Sequence, residues 1–380
     1  MHLFNTQLLL WALYSLLIPP ISSIPIPEDP DSTELQVPQY DHESTLVPRN
    51  ALAANSLLEN RNDDPRPASP IARCGYQFGS KEPSGVKGEK KYVMKEGGKE
   101  YGSVRLQHKL GSGNQGAVWE GVLKYYPTSK NKGMGLPILA EEPVAVKVGS
   151  GGRGIDRGIL QRQIVSPYVL PLKELFWSEN TRESVQVMPR GLYDLTTALE
   201  KGLVIVVAVI MLRVGEALLA AHHQWIVHGD IKPDNILLSH YGWTYLIDWD
   251  VAKKLTERIE TRPRGQYDYY GPEARNKEPY DAFKEEVFEF TLTWLEADQP
   301  PFMQNPDFRD DLYNWLTAPG DKDTAAGRTY AGIADHLGLK FGVYLSESKK
   351  HLMAKGLCAQ QERFDLPVFL NEFRRVNMII

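Results

Sequence analysis

The sequence predicts an α+β protein in which a small β-rich lobe precedes a larger helical lobe. Three observations predict it. Ser103 to Leu123 and Pro143 to Val148 carry strand patterning broken by glycines. After Gly191 the pattern changes, and apolar residues recur at helical spacing toward the C-terminus. Within that helical half, the polar run His228-Gly229-Asp230-Ile231-Lys232-Pro233-Asp234-Asn235 is flanked by Trp225-Ile226-Val227 and Ile236-Leu237-Leu238. A merely solvated charge cluster does not require apolar runs on both sides.

In chain order, the N-terminus comes first. Leu8 to Ile18 is apolar apart from Ser15, which is the length of a signal-peptide core and short for a bilayer span. Ser23 suits a cleavage site, so residues 1–23 read as a signal peptide and the protein as secreted or routed through the secretory pathway. Residues 24–90 are rich in Pro, Ser, Asp, Asn and Glu, and bury too little apolar area to offset the entropy of ordering. A disordered extension is expected there, with a short amphipathic helix patterned over Leu46 to Arg61.

The small lobe is assigned to residues 91–189. It begins with two strands around Gly111-Ser112-Gly113-Asn114-Gln115-Gly116 and continues, after an insertion from Lys124 to Glu142, with the strand Pro143 to Val148. A helix over Ile155 to Gln163 and two strands within Glu174 to Met188 complete it. The large lobe, residues 190–380, has helices over Leu192 to Lys201, Ile205 to Gln224 and Phe283 to Ala297, with more toward the C-terminus. Leu203 to Leu212 is apolar, but Arg213 and Glu216 follow at once, so it reads as a buried helix and no transmembrane helix is predicted.

Composition narrows the function classes. The chain has 380 residues, 42% hydrophobic and 24% charged, as in a globular protein. A net charge of −5 gives no support for nucleic-acid binding by phosphate neutralisation. Two cysteines, Cys74 and Cys358, make no disulfide framework, and whether they pair depends on a Cα separation the sequence does not give.

The chemistry lies in four places. Gly111, Gly113 and Gly116, followed by Val118, fit G-x-G-x-x-G-x-V, in which residues without Cβ let backbone N–H groups approach phosphate oxygens. A strand follows these glycines where a dinucleotide-binding fold would place a helix. Lys147 ends Val144-Ala145-Val146-Lys147, and an ammonium on an apolar strand is costly unless an anion meets it. Asp230 and Lys232 can accept a hydroxyl proton and neutralise a moving phosphoryl group, while Asn235 and Asp248 are hard oxygen ligands suited to magnesium.

Together these motifs resemble the eukaryotic protein kinases of the serine/threonine type, over about residues 100 to 375. The resemblance implies the bilobal protein kinase-like fold, ATP and Mg2+ as cofactors, and a protein substrate. It assigns Gly111, Gly113, Gly116, Val118, Ala145 and Lys147 to the nucleotide, Asp230 and Lys232 to catalysis, and Asn235 and Asp248 to the metal. It also makes Asp156 the helix carboxylate that pairs with Lys147, with a side chain one methylene, roughly 1.5 Å, shorter than the usual glutamate. Glu273 and Arg363 fall where a structural ion pair is expected.

The sequence departs from the pattern at Gly229, where an arginine that reads an activation-segment phosphate is usual, which implies activity without that phosphorylation. Trp249 and Asp250 replace a phenylalanine and a glycine, and Gln266 replaces a threonine. Lys284 stands where an aspartate supports the catalytic loop, with Asp281, Glu285 and Glu286 as acids that could substitute. A signal peptide, a polar extension and Gly229 together resemble secreted parasite kinases such as the rhoptry kinases of apicomplexans, which would make a host protein the substrate. Two readings of function stay open: an active kinase, and a pseudokinase acting as a nucleotide-binding or interaction scaffold. Lys232 and Gly271-Pro272-Glu273 disfavour a small-molecule kinase.

Overall fold

Alternation along one strand sets the layout of the small lobe. In the strand Glu141–Ser150, Val144, Val146 and Val148 are buried, whereas Ala145 and Lys147 face the other way and are half-buried. The computed structural model describes residues 73–76, 90–96, 99–113, 116–128, 140–178, 181–203, 205–239, 242–298, 333–335, 337 and 345–379, all within the unit Asn55–Ile380. Residues 1–23, the helix expected over Leu46 to Arg61 and most of the insertion before Glu142 lie outside the described residues.

Seven strands form the small lobe: β1 (Arg73–Tyr76), β2 (Lys91–Glu96), β3 (Lys99–Gly113), β4 (Gly116–Tyr125), β5 (Glu141–Ser150), β6 (Glu174–Ser178) and β7 (Glu183–Pro189). They close into a barrel in the order β1-β2-β3-β4-β5-β7-β6. Strand β1, inside the stretch expected to be disordered, pairs antiparallel with β2 and parallel with β6. Tyr92, Met94, Val104, Leu123, Val144, Val146, Phe176, Val185 and Val187 fill the interior. Helix α1 (Arg153–Gln163) packs on β6 and β7 through two glycines one turn apart. A Cβ at Gly154 would lie 2.2 Å from Ser184 Oγ, and one at Gly158 would lie 2.7 Å from Leu175 Cδ1.

The large lobe is built on helices α2 (Leu195–Glu200), α3 (Val207–His223), α4 (Ala282–Asp298), α5 (Glu347–Leu357) and α6 (Leu366–Val376). Helix α2 starts three residues later than expected, because Asp194 first pairs in a strand and then caps the helix, Oδ1 accepting from Thr197 N at 2.7 Å. Helix α3 buries Ile210, Met211, Val214, Ala217, Leu218 and Ala221 on one side, the stripe expected of a core helix. Helix α4 is buried on all sides from Glu285 to Ala297. Its Phe290 and Trp294 meet Phe369 and Phe373 of α6 edge-on. No helix among the described residues is long and apolar enough to cross a membrane.

Short pairings tie the loops to this frame: β8 (Tyr193–Asp194) and β11 (Thr244–Leu246) flank β10 (Ile236–Leu238), β9 (Ile226–Val227) pairs with β12 (Lys253–Lys254), and β13 (Ile259–Glu260) pairs with β14 (Tyr280–Asp281). The pair expected between Glu273 and Arg363 forms, at 3.1 Å and fully buried. Cys358 is a buried free thiol, and the side chain of Cys74, weighed as its partner, lies outside the described residues.

Buried acids make this frame sensitive to pH. Burial pushes the Glu285 carboxyl up to about 7, and burial with the charges of Glu286 and Glu285 pushes Glu289 well above the ordinary range. The folded chain therefore holds protons that the unfolded chain loses near 4.5. That stability is fully present below 4.5 and is lost as pH rises through about 7. Thermal melting at pH 5.5 and 8 should show the wild type losing more stability on alkalinisation than Glu285→Gln. An equal loss in both would contradict the assignment.

Candidate active site

Three glycines of the β3–β4 hairpin divide into two kinds. Gly113 pairs with Gly116 and Gly111 with Val118. Gly116 adopts φ +149°, and a Cβ there would lie 2.2 Å from Val148 O, so the fold itself requires glycine. A Cβ at Gly111 or Gly113 would meet nothing within 4 Å. The space beside those two glycines is open, as a phosphate-bearing ligand needs for close approach to the backbone. Val118 sits opposite Lys147 in the β4–β5 register, and Ala145 lies on the same outward face of β5.

Lys147 Nζ lies 2.6 Å from Asp248 Oδ1 and 2.6 Å from Asp250 Oδ2. Burial lowers the lysine's proton affinity, but the two carboxylates outweigh it and leave the ammonium above its usual range. Asp248 is pushed up by burial and pulled down further by the Lys147 ammonium, and ends below the ordinary carboxylate value. Asp250 ends above it, through burial and the neighbouring Asp248 charge. The acids that meet Lys147 are therefore not those expected. Asp156, assigned to it from the sequence, lies in the first turn of α1 with its charge acting on Arg157.

The catalytic loop has one carboxylate at its centre. Asp230 Oδ2 accepts from Lys232 Nζ at 2.8 Å and from Asn235 Nδ2 at 2.9 Å, while Oδ1 accepts from Gln266 N at 2.9 Å. Gln266 thus meets Asp230 through its backbone, and its side chain turns to Asp268. Gly265, at φ +83°, permits this approach: a Cβ there would lie 2.1 Å from Gly229 O. Asn235 uses Nδ2 for both of its bonds to Asp230, which turns Oδ1, a hard oxygen donor, the other way.

His228 joins the loop to the Asp248 segment. Its Nδ1 accepts from Asp230 N at 3.2 Å and its Nε2 donates to Ile247 O at 2.8 Å, which fixes one neutral tautomer. Its ring meets buried Trp249 edge-on at 4.6 Å. Ile247 N in turn donates to Asn235 O at 2.9 Å. Asp248 sits at φ 63°, ψ 62°, a left-handed conformation that aspartate tolerates better than most residues.

Helix α4 supports the loop through acids that sequence reasoning had not singled out together. Glu286 Oε1 accepts from Gly229 N at 2.6 Å, its Oε2 lies 2.6 Å from His222 Nε2, and Glu289 Oε2 accepts from Ile231 N at 3.0 Å. Glu286 is one of the three acids weighed as substitutes, whereas Lys284 donates to Gln360 O. The available signal was four glutamates, 285, 286, 289 and 296, spaced among the aromatic and aliphatic residues of one helix.

These groups fit a magnesium nucleotide. Among the described residues no cluster of three His, Cys, Asp or Glu could hold a metal alone. Asn235 and Asp248 are instead the sparse oxygen pair that a metal carrying phosphates and water uses. Replacing Gly111 and Gly113 together by valine should leave the melting temperature within about 2 °C and weaken nucleotide affinity by about tenfold. A loss of stability with unchanged affinity would make these glycines structural.

A model of the family described as "Protein kinase domain" matches residues 104–363. The chain is similar to the serine/threonine-protein kinase PknE of Mycobacterium tuberculosis, 26% identical over 219 residues, covering 54% of this chain and 36% of that protein. It is 25% identical over 188 residues to the serine/threonine-protein kinase PknD of the same organism, covering 46% and 26%. With the serine/threonine-protein kinase Sgk2 of Rattus norvegicus it shares 33% identity over 119 residues, covering 30% and 32%. The matched segments thus span at most 36% of the length of these relatives.

Proposed function

This chain belongs to the protein kinase family, and from that premise we propose that it transfers the γ-phosphoryl group of ATP to serine or threonine hydroxyls of a protein substrate. The observation that carries the reading is the Asp230 carboxylate, held by Lys232, Asn235 and the Gln266 amide beside the Lys147–Asp248 pair. Magnesium ATP, when bound, supplies the phosphoryl group and part of the charge neutralisation. Asp230 orients the substrate hydroxyl and takes its proton at a carboxylate oxygen. Lys232 neutralises charge on the transferring oxygens, and Lys147 meets the nucleotide phosphates. Asn235 and Asp248 hold the metal. The names of the serine/threonine kinases matched above support the choice of hydroxyl.

Activity is proposed to need no phosphate on the activation segment. Glu260 supports this: its carboxylate is hydrogen-bonded by Lys253 and lies 3.0 Å from Arg264. Burial raises the Glu260 carboxyl, but the bonds and charges of Lys253 and Arg264 together outweigh it and hold it below the ordinary range. A carboxylate built into the chain thus supplies a fixed anion to Lys253 and Arg264, which supports that reading. Gly229 lies at φ +75°, and a Cβ there would be 3.3 Å from Arg264 Cβ, so the Arg264 side chain passes beside the position where the usual arginine would start.

Secretion belongs to the same proposal and rests on Leu8 to Ile18 and Ser23. The likeness to secreted parasite kinases, with a host protein as substrate, rests on that run, on the polar composition of residues 24–90 and on Gly229.

Magnesium-dependent phosphate transfer to a generic protein substrate tests the reading. Asp230→Ala should lose at least about 100-fold, and the pair Thr256→Ala, Thr261→Ala should stay within about threefold of wild type. Equal background in wild type and Asp230→Ala, with nucleotide still bound, would identify a pseudokinase scaffold. A loss of about tenfold or more in the threonine pair would overturn phosphorylation-independence.

A further inference from the structure

We infer that Asp250 is the positioning residue for Lys147, the task this protein has moved from helix α1 to the turn after Asp248. The inference rests on the nucleotide-binding reading above and names a residue that reading does not use. Both partners of Lys147 come from one short segment, Asp248 and Asp250, at 2.6 Å each. Between them Trp249 is buried to 2% exposure against His228. The alternation is what a tight turn gives: Trp249 anchors inward, and the residues on either side present carboxylates to the lysine. The 3₁₀ turn Trp249–Val251 closes through Ala252 N to Trp249 O at 3.1 Å.

The two carboxylates are not equivalent. Asp248 is exposed, lies beside the catalytic loop and is the oxygen ligand available to a divalent cation. A cation on Asp248 repels the ammonium and competes for its oxygens, which removes one partner from Lys147. Asp250, at 13% side-chain exposure, remains against a lysine that is itself only 15% exposed. One anion then serves the metal while the other keeps the buried cation paired and aimed.

Helix α1 is arranged so that it need not supply that anion. Its two glycines press it onto β6 and β7, and Gln186 Nε2 donates to Gly154 O at 2.8 Å. A cavity of about 520 Å³ lies between the helix start, at Gly152, Arg153 and Gly154, and the pair Lys147–Asp250.

Nucleotide affinity measured twice, once in EDTA and once with saturating magnesium, tests this in the full chain. With saturating magnesium, where Asp248 is engaged, Asp250→Asn should weaken affinity by about tenfold or more, and by more than Asp156→Asn does; in EDTA, where Asp248 still meets Lys147, the loss should be smaller. Asp250→Glu should restore part of the loss. In a Lys147→Met background, Asp250→Asn should add less than about twofold. An Asp250→Asn protein with unchanged affinity at saturating magnesium but a raised magnesium requirement would overturn the inference in favour of a metal ligand. So would an Asp156→Asn loss equal to or larger than that of Asp250→Asn. If Asp250→Asn fails to fold, the Asp250→Glu measurement in wild-type and Lys147→Met backgrounds decides by the same comparison. A wild-type chain that binds no nucleotide would overturn the underlying reading, and this inference with it.

Discussion

Two backbone amides, those of Gly229 and Ile231, are held by carboxylates from one buried helix, and the cleft depends on that hold. They flank Asp230, so the carboxylate at the centre of the loop is gripped from both sides by Glu286 and Glu289. A hydrogen bond of this kind contributes about 1 kcal/mol net, and leaving a buried amide unpaired costs about 1–3 kcal/mol. The larger effect is geometric. With the amides fixed, Asp230 can be met by Lys232, Asn235 and Gln266 without the loop being free to choose another set. Because α4 is buried on all sides, Glu289 does this in a setting where burial penalises its ionisation.

From that loop the constraint passes outward by hydrogen bonds. His228 carries it to Ile247, and the Asn235 carbonyl accepts from Ile247 N, so the segment bearing Asp248 and Asp250 is set by the same frame. Lys147, on β5 of the small lobe, is then met by carboxylates of the large one. The ion pair thus spans the two lobes at the cleft. Glu260, Lys253 and Arg264 fix the next stretch of chain with a permanent charge.

Much of this was legible in the sequence. The order of strands and helices, the glycine hairpin and the constellation of Asp230, Lys232, Asn235 and Asp248 follow from spacing, because local patterning and a contiguous loop leave few alternatives. Contacts between distant segments were harder. Counting along the chain put Asp156 on Lys147, but the contact is made by a residue over a hundred positions away, and distance in sequence carries no signal for it. Lys284 occupies the expected supporting position, while the support comes from Glu286 and Glu289, two and five residues further along the same helix. The three hairpin glycines look alike in sequence, yet Gly116 is demanded by Val148 O and Gly111 and Gly113 by no protein atom. Strand β1 arises in a polar stretch because it completes edges supplied by β2 and β6, which composition does not reveal.

The central claim is that Glu286 sets the geometry for transfer and does not merely stabilise the fold. Single-turnover phosphate transfer by Glu286→Ala, measured beside its nucleotide affinity at a temperature where the protein is folded, tests it most directly. The account predicts a loss in transfer of about tenfold or more with affinity within about twofold of wild type. Transfer at the wild-type rate in a folded Glu286→Ala protein would contradict it.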